Sequence, residues 1–239
     1  DNAMMNKLGY NSFDDVIEQG NKSLGIEEFK NFLLNPEIIL LDVRHQKDFM
    51  NKHIPNSIFI GLNGSFAPWV GSIIEDTNKK ILLITPEGRE VETLTRLSRV
   101  GFDNCLGFLN GGINEWENQG NPIASIETIK SKDFVDILKL NKINILDVRS
   151  KSEFDNKHIE GAINFPLNSL QEMYKEIKYE DKLHVHCAGG YRSVIAISIL
   201  MKLGFKAMTN ITEGFNEILK CNLNENCYNS INSLNCNNT

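Results

Sequence analysis

Apolar runs of strand length alternate with stretches of helical spacing along most of the chain. In its first half the pattern predicts strands at 38–42, 57–61, 80–84 and 104–109 and helices at 24–34, 46–52, 88–100 and 111–119. Strands that alternate with helices favour parallel pairing, with helices on both faces of the sheet. We therefore expect an α/β fold with a three-layer α/β/α arrangement around a mainly parallel central sheet.

The same pattern occurs a second time. Residues 38–62 align with residues 143–167, and twelve of the twenty-five aligned positions are identical. Polar and Gly/Pro residues cluster near 118–125, which indicates the boundary between two tandem domains. The expected organisation is a tag scar and lead-in linker at 1–23, domains at 24–121 and 122–222, and an asparagine-rich tail at 223–239.

Composition excludes several classes of partner. The 239 residues carry a net charge of −6, and the lysines are scattered, so nucleic acid is not an expected partner. No apolar run approaches the roughly eighteen residues of a membrane span. The five cysteines are an odd number without framework spacing, which favours a reducing, cytoplasmic setting. The tail cysteines match no standard zinc spacing, and we expect no metal site and no cofactor.

The strongest chemical signal is a cysteine at a strand-to-helix turn. An apolar run stops at Cys187, Gly189 and Gly190 follow, and a buried helix is predicted from Ser193 onward. Amides in such a turn have no helical partner and form a nest for an anion, and glycines permit its tight curvature. Together with Arg192 they would stabilise a thiolate and make it nucleophilic. The alternative is a structural cysteine buried before an ordinary helix.

This turn, Cys-Ala-Gly-Gly-Tyr-Arg-Ser, resembles the active-site loop of rhodanese-type sulfurtransferases. The resemblance implies two tandem rhodanese-like domains in which Cys187 carries sulfane sulfur as a covalent persulfide. It also implies a substrate-binding role for the rest of the loop: Ala188, Gly189, Gly190, Tyr191, Arg192 and Ser193. The Cys-x4-Arg spacing is one residue shorter than the Cys-x5-Arg of cysteine phosphatases, so it favours a terminal sulfur over a tetrahedral phosphate or arsenate.

Polar residues on neighbouring strands could support this loop. Asp147 and Arg149 follow the first strand of the second repeat, and they either hold the loop and its arginine in place or form an ordinary strand-end ion pair. His184 and His186 alternate along the strand that enters the loop. His186 either assists the cysteine or is a satisfied strand histidine. His158 has an equivalent, His53, in the first repeat, which lacks the cysteine. We therefore expect both histidines to be structural.

The first repeat has a degenerate version of the loop. Thr85 stands in the place of the cysteine, Pro86 removes an amide donor, and Glu87 adds negative charge where an anion would bind. Arg89 is four residues after Thr85, which predicts a cradle shorter by one residue. We expect this copy to be inert.

The segment Phe66-Ala-Pro-Trp69-Val-Gly has no counterpart in the second repeat, and it could be a local hydrophobic plug or a docking surface. It is similar to a stretch of bacterial fusions in which a metallo-β-lactamase-fold persulfide dioxygenase precedes an inactive and an active rhodanese repeat. The resemblance implies an N-terminal dioxygenase domain in the full-length protein. No His/Asp metal-ligand run of such a domain is present in these 239 residues.

The sequence therefore predicts a sulfurtransferase that moves sulfur from thiosulfate or a low-molecular-weight persulfide to a thiol, sulfite or cyanide. Its partners would be the small-molecule donor and the thiol acceptor, in sulfide metabolism. One alternative is a non-catalytic module that senses persulfide or docks a partner, and another is a cysteine phosphatase or arsenate reductase. The first hypothesis requires that solvent reaches the Cys187 thiol and that the loop amides point toward it.

Overall fold

The computed structural model describes residues 12–140, 143–177, 182–221 and 228–229. The chain divides into two compact units, 1–124 and 125–239, three residues beyond the boundary expected from composition.

The first unit is built on a five-stranded parallel sheet with the order β1-β5-β4-β2-β3. Its strands are β1 (Ser23–Leu24), β2 (Ile39–Asp42), β3 (Ile58–Phe59), β4 (Ile81–Ile84) and β5 (Cys105–Leu109). Its helices are α1 (Phe13–Gly20), α2 (Ile26–Leu33), α3 (Gln46–Asn51), α4 (Phe66–Ile73), α5 (Glu90–Ser98) and α6 (Gly112–Asn118).

The second unit repeats this sheet with the order β6-β11-β10-β7-β9, again all parallel. Its strands are β6 (Glu127–Ile129), β7 (Asn144–Asp147), β8 (His158–Ile159), β9 (Ile163–Asn164), β10 (Leu183–His186) and β11 (Met208–Ile211), and β8 pairs antiparallel with β12 (Tyr228–Asn229). Its helices are α7 (Ser131–Leu140), α8 (Lys151–Asn156), α9 (Leu170–Met173), α10 (Arg192–Lys202) and α11 (Gly214–Ile218). The α/β fold class with parallel sheets is confirmed.

The central strand β4 of the first unit is a continuous apolar run, whereas β10 of the second unit alternates apolar residues with His184 and His186. All four residues of β4 are buried, and so are all four of β10. A parallel strand covered by helices on both faces needs apolar residues on both faces. These two strands lead directly into the degenerate loop and the Cys187 loop, so each loop starts from a fully buried strand.

The start of the first unit differs from the prediction. Residues 13–23, interpreted from sequence as part of a lead-in linker, contain α1 and the beginning of β1, which pairs with β5. Helix α1 buries Val16 and Gly20, and a Cβ at Gly20 would lie 2.7 Å from Leu94. The predicted helix at 24–34 begins later, at Ile26, because Leu24 is used in the sheet. Strand β1 has only two residues, which is too short to show a periodic pattern in the sequence. Its pairing with the distant strand β5 therefore could not be predicted from local spacing.

The segment that the two repeats do not share is helical in the first unit. Phe66 and Val70 of α4 are buried, which favours the local plug over the docking surface for this face, while Trp69 is half-buried. In the second unit the corresponding segment contains the short helix α9 between two 3-10 turns, Leu167–Ser169 and Tyr174–Glu176. Across the part of the chain that the structure describes, none of the helices has the length and apolar character to span a bilayer.

Gly107 provides a test of the contact between β1 and β5. Its φ is +145°, and an added Cβ would lie 2.6 Å from the backbone oxygen of Lys22. We expect Gly107→Ala to lower the free energy of unfolding by about 1–3 kcal/mol. Gly71→Ala is the matched control, since nothing lies within 4 Å of its Cβ position in α4, and it should leave stability unchanged or raise it. Urea denaturation measures both, and equal effects would contradict the close approach.

Candidate active site

Cys187 lies at the carboxyl edge of the second sheet. It directly follows β10, which runs between β7 and β11, and α10 begins five residues later at Arg192. In the pairing of β10 with β7, His186 lies opposite Asp147. The ends of parallel strands meet at one edge, which is where open α/β sheets bind ligands. The fold therefore brings the cysteine loop and the Asp147 strand end together.

The path of the loop depends on one glycine. Gly190 has φ +85°, and a Cβ at this position would lie 1.8 Å from the carbonyl oxygen of Thr212. No side chain fits there, and L-residues avoid this conformation. The loop therefore presses its backbone directly against the end of β11.

The start of α11 fixes the orientation of the loop peptides. The Phe215 amide donates to the Cys187 carbonyl at 2.7 Å, and the Asn216 amide donates to the Ala188 carbonyl at 3.0 Å. Gly214, with φ +66°, makes this approach possible, because its Cβ would lie 2.5 Å from the Cys187 oxygen. With these carbonyls bound outside the loop, the following amides turn toward its interior.

The sulfur has two polar neighbours in the loop. The Gly190 amide donates to Cys187 Sγ at 3.1 Å, and the thiol lies 3.7 Å from Ser193 Oγ. The amide geometry agrees with the expected cradle. The exposure does not, because Cys187 is only 1 % exposed. Around it Ala188 and Tyr191 are half-buried and Gly189 is exposed.

Arg192 is held by Glu153, which the sequence interpretation missed. Nη1 and Nη2 of Arg192 each donate to one Glu153 oxygen at 2.7 Å. Ser150 also donates to Glu153 from its backbone amide, in a capping box at the start of α8. The hydrogen bonds from Arg192 are the main cause that lowers the pKa of Glu153 to about 2, and those from Ser150 add to it. The hydrogen bonds to Glu153 in turn raise the pKa of Arg192.

The available signal for Glu153 was the Ser-x-x-Glu pattern of the capping box. That pattern predicts a helix start and says nothing about a distant arginine. The bidentate pair is the geometry that fixes a guanidinium plane in one orientation. Arg192 is therefore a positioned cation at the loop and not a freely rotating one.

Asp147 and Arg149 form a buried pair below the loop. The guanidinium donates to both Asp147 oxygens at 2.6–3.0 Å and to the Lys157 carbonyl at 2.9 Å. It also lies over the Phe215 ring, 3.8 Å from the centroid. The first repeat has the same pair and the same carbonyl contact, at equivalent positions. The pair therefore belongs to the frame of the fold, and Arg149 touches the helix that orients the loop.

The two strand histidines differ in their surroundings. His186 is fully buried, its Nδ1 lies 3.3 Å from the Cys187 carbonyl oxygen, and its ring stacks on Phe215. Burial lowers its pKa, despite the opposing charge of Asp147 at 3.7 Å, so the imidazole is neutral near pH 7. Burial likewise lowers the pKa of His184. Among its described contacts, His186 therefore approaches the loop backbone and not the sulfur.

His158 has the same structural role in the second repeat as His53 in the first. Its Nδ1 lies 2.7 Å from the Phe154 carbonyl oxygen, and its ring stacks on Phe154 at 3.7 Å. His53 repeats both contacts with Phe49. These histidines stabilise the turn after α3 and after α8.

The degenerate loop departs from one part of the prediction. The strand before it and the helix after it are both offset by 102 residues from β10 and α10, so the loop has the same length as the active one. Glu90, and not Arg89, occupies the position of Arg192. The expectation of a cradle shorter by one residue, with Arg89 closing it, is therefore wrong, because counting to the nearest arginine ignored where the helix begins.

The degenerate loop contains an internal carboxylate. Oε1 of Glu90 accepts hydrogen bonds from Thr85 Oγ1 at 3.1 Å and from the Gly88 amide at 3.2 Å. Gly88 is equivalent to Gly190, whose amide donates to the sulfur in the second repeat. Arg89 binds Glu92 and Asn63, and Glu87 is exposed. The carboxylate that is bound inside this loop is therefore that of Glu90, which the sequence interpretation did not single out.

The other described thiols have different environments. Cys105 is buried in β5, and burial raises its pKa to about 12, so it is unreactive. Cys221 is half-buried and free. Cys227 and Cys236 lie outside the described residues, as does most of the predicted tail. Within the described ranges, no three His, Cys, Asp or Glu side chains cluster as metal ligands do.

Gly190 and Gly189 form a matched pair for testing the loop. Gly190→Ala places its Cβ in the Thr212 carbonyl, so we expect a loss of about 1–3 kcal/mol in the free energy of unfolding and a displaced Cys187. Nothing lies within 4 Å of a Cβ at Gly189, and Gly189→Ala should stay within about 0.5 kcal/mol of the wild type. Urea denaturation and the alkylation rate of Cys187 measure the two effects. A stable Gly190→Ala variant with an unchanged alkylation rate would contradict the described loop.

The ion pair of Glu153 predicts a specific pH dependence. Its pKa falls from an ordinary 4.5 to about 2 on folding, so its stabilisation is complete above about pH 4.5 and is lost as the pH falls toward 2. We expect the stability difference between wild type and Glu153→Gln to be constant above pH 5 and to shrink between pH 4.5 and pH 2. Urea denaturation across this range measures it, with Glu172→Gln, an exposed residue of α9, as control. A difference that does not change with pH would contradict the pairing.

The chain is similar to parts of several known proteins. The Bacillus subtilis protein named "Putative sulfur carrier protein YrkF" is 32% identical over 108 residues, which are 45% of this chain and 56% of that protein, so the match leaves over a third of YrkF uncovered. The thiosulfate sulfurtransferase GlpE of Coxiella burnetii is 29% identical over 80 residues, 34% of this chain and 75% of that protein. The crystal structure of a rhodanese-related protein from Thermoplasma volcanium is similar at 28% identity and a TM-score of 0.37, covering 41% of this chain and 95% of that one.

The profile of the family described as "Rhodanese-like domain" matches the chain twice, at residues 26–119 and 131–221. These two matches fall in the two units, and each includes one of the two strand-to-helix loops described above. The chain therefore belongs to the rhodanese-like family and contains two tandem domains of it.

Proposed function

We propose that this chain is a sulfurtransferase that carries sulfane sulfur on Cys187. The donor is thiosulfate or a low-molecular-weight persulfide, and the acceptor is a thiol, sulfite or cyanide. The observation that carries the proposal is the Gly190 amide, which donates to Cys187 Sγ at 3.1 Å inside a Cys-x4-Arg loop. This main-chain donor is directed at the atom that must act as the nucleophile and then carry the transferred sulfur.

The reaction would proceed in two displacements at sulfur. The Cys187 thiolate attacks the outer sulfur of thiosulfate, a new S–S bond forms, and the S–S bond of the donor breaks to release sulfite. An acceptor thiolate or cyanide then attacks the terminal sulfur of the Cys187 persulfide, and the Cys187 thiolate leaves. No electrons are gained or lost overall, so the cycle needs no cofactor.

Arg192 would stabilise the anionic groups in both steps. Arg192 donates one N–H from each terminal nitrogen to Glu153. A guanidinium has five N–H donors, so three N–H groups of Arg192 are not bound to Glu153. A cation fixed in place attracts the anionic donor and interacts with the persulfide without first having to be ordered. Asp147, Arg149 and His186 would act through the loop backbone and the helix that orients it.

The resting thiol must become accessible for this chemistry. Cys187 is 1 % exposed, so a donor can reach it only when the loop residues that cover it move. Gly189 is exposed and nothing lies within 4 Å of its Cβ position, so this residue is where the loop faces solvent. The loop that selects a terminal sulfur would then also control its entry.

The proposal extends to the cellular setting. A free thiol as the working group fits a reducing, cytoplasmic compartment. The Phe66–Gly71 similarity supports a role beside a metallo-β-lactamase-fold persulfide dioxygenase in one fusion protein, in sulfide metabolism. The full reading frame of the gene tests that fusion, and a frame without upstream metal-binding motifs would contradict it.

The burial of Cys187 favours a second candidate, a non-catalytic module that registers persulfide or oxidant once. A sensor tolerates slow access to its thiol, whereas an enzyme must regain the free thiol in every cycle. Multiple turnover separates the two candidates, because a sensor is modified once and then stops.

Mass spectrometry and steady-state kinetics test the proposal. Incubation with thiosulfate should add one sulfur atom to Cys187, and further cyanide should yield thiocyanate over many turnovers. Cys187→Ala should reduce both to background, because among the described thiols Cys187 alone lies in a strand-to-helix loop with an amide directed at its sulfur. Cys221→Ala is the control and should retain activity. An unmodified Cys187 after thiosulfate treatment, or hydrolysis of a phosphate ester that depends on Cys187, would overturn the proposal.

A further inference from the structure

The first unit contains a cavity beside its degenerate loop. It has a volume of about 530 Å3, within the usual range for small-molecule sites, and it lies at the carboxyl ends of β4 and β5. Its walls include the Thr85–Glu87 segment and the start of α6 at Gly112. A Cβ at Gly112 would meet nothing within 4 Å, whereas at the equivalent Gly214 it would lie 2.5 Å from the loop.

This cavity has two carboxylates where the second unit has a cation and a carboxylate. Arg192 and Glu153 of the second unit are equivalent to Glu90 and Asp48, and both of these line the cavity. Two carboxylates cannot form the ion pair that closes the second site. The guanidinium that Glu153 binds through both of its oxygens therefore has no counterpart in the first unit.

The cations in the cavity wall already have carboxylate partners. Arg44 is bound to buried Asp42, and Lys52 is bound to Glu117 at 2.7 Å. By contrast, none of the three carboxylates of the wall, Asp48, Glu87 and Glu90, has an ion pair with any residue that the structure describes. The cavity thus has uncompensated negative charge.

One of these carboxylates is already oriented. Oε1 of Glu90 is held by the Thr85 hydroxyl and the Gly88 amide, which leaves Oε2 for a ligand. The wall also includes Leu109 and Ile113, both buried, which can contact an aliphatic chain. The cavity therefore offers ordered acceptors next to apolar surface.

We propose that the cavity of the first unit binds an alkylguanidinium group from outside the domain, with Asp48 and Glu90 as its anionic partners. The ligand replaces the guanidinium that Arg192 supplies internally in the second unit. A guanidinium fits this site better than an ammonium ion because its planar fork matches carboxylates with two parallel hydrogen bonds. Such a group is present both in free alkylguanidines and in the arginine side chain of a peptide.

NMR titration of the full chain tests this assignment. The probes are butylguanidinium, which is a free ligand, and acetyl-Gly-Arg-Gly-amide, which presents the same group as a side chain. Butylammonium has the same charge without the fork. We expect saturable shifts of the Gly88 and Asn110–Ile113 amides, and weaker binding of butylammonium. Binding of butylguanidinium alone assigns a small-molecule site, and binding of the peptide as well assigns a site for an arginine side chain.

Substitutions separate the site from general attraction to an acidic protein. Glu90→Gln keeps an acceptor for Thr85 and Gly88, and Asp48→Asn is isosteric, so each should preserve the fold and weaken binding about tenfold. Glu28→Gln removes the same charge from an exposed position of α2 and should have no effect. No saturable shift in the wild type, or equal weakening by Glu28→Gln, would overturn the proposal.

Discussion

The geometry of the candidate active site depends on where two carbonyl groups point. The amides at the start of α11 bind the carbonyls of Cys187 and Ala188, and this holds both oxygens outside the loop. Because a peptide is planar and its N–H points opposite to its C=O, the following amides then face inward. Gly190 completes the turn in a conformation that only glycine adopts easily, and its amide reaches the sulfur at 3.1 Å. This arrangement distinguishes the surroundings of Cys187 from those of Cys105, which is buried within strand β5.

The frame below the loop is common to both repeats and does not distinguish them. Asp42 with Arg44, and Asp147 with Arg149, form the same buried pairs and bind the same carbonyl eight residues on from the arginine. A buried pair of this kind must keep all its hydrogen bonds, since loss of one partner leaves an uncompensated charge. This requirement fixes the strand end and the following turn, whereas the chemistry is left to the loop above them.

The two loops differ through charge more than through shape. They have equal length and share a glycine with positive φ, at Gly88 and Gly190. In one, the inward amide donates to a sulfur, and in the other it donates to the carboxylate of Glu90. Glu90 in the first repeat stands where Arg192 stands in the second, so a carboxylate replaces a cation at this position. The two repeats thus have one loop with a cation beside a thiol and one cavity with carboxylates in its wall.

The sequence determined the duplication, the α/β class, the order of strands and helices, and the position of Cys187 at a strand end, because these depend on local periodicity and on spacing along the chain. It did not determine α1 as part of the first unit, the pairing of Glu153 with Arg192, the role of Glu90, or the burial of Cys187. Arg192 and Glu153 are 39 residues apart, and their contact exists only because β7 and β10 are neighbours in the sheet. The burial of a side chain likewise depends on the segments that fold over it, so only the tertiary structure decided both.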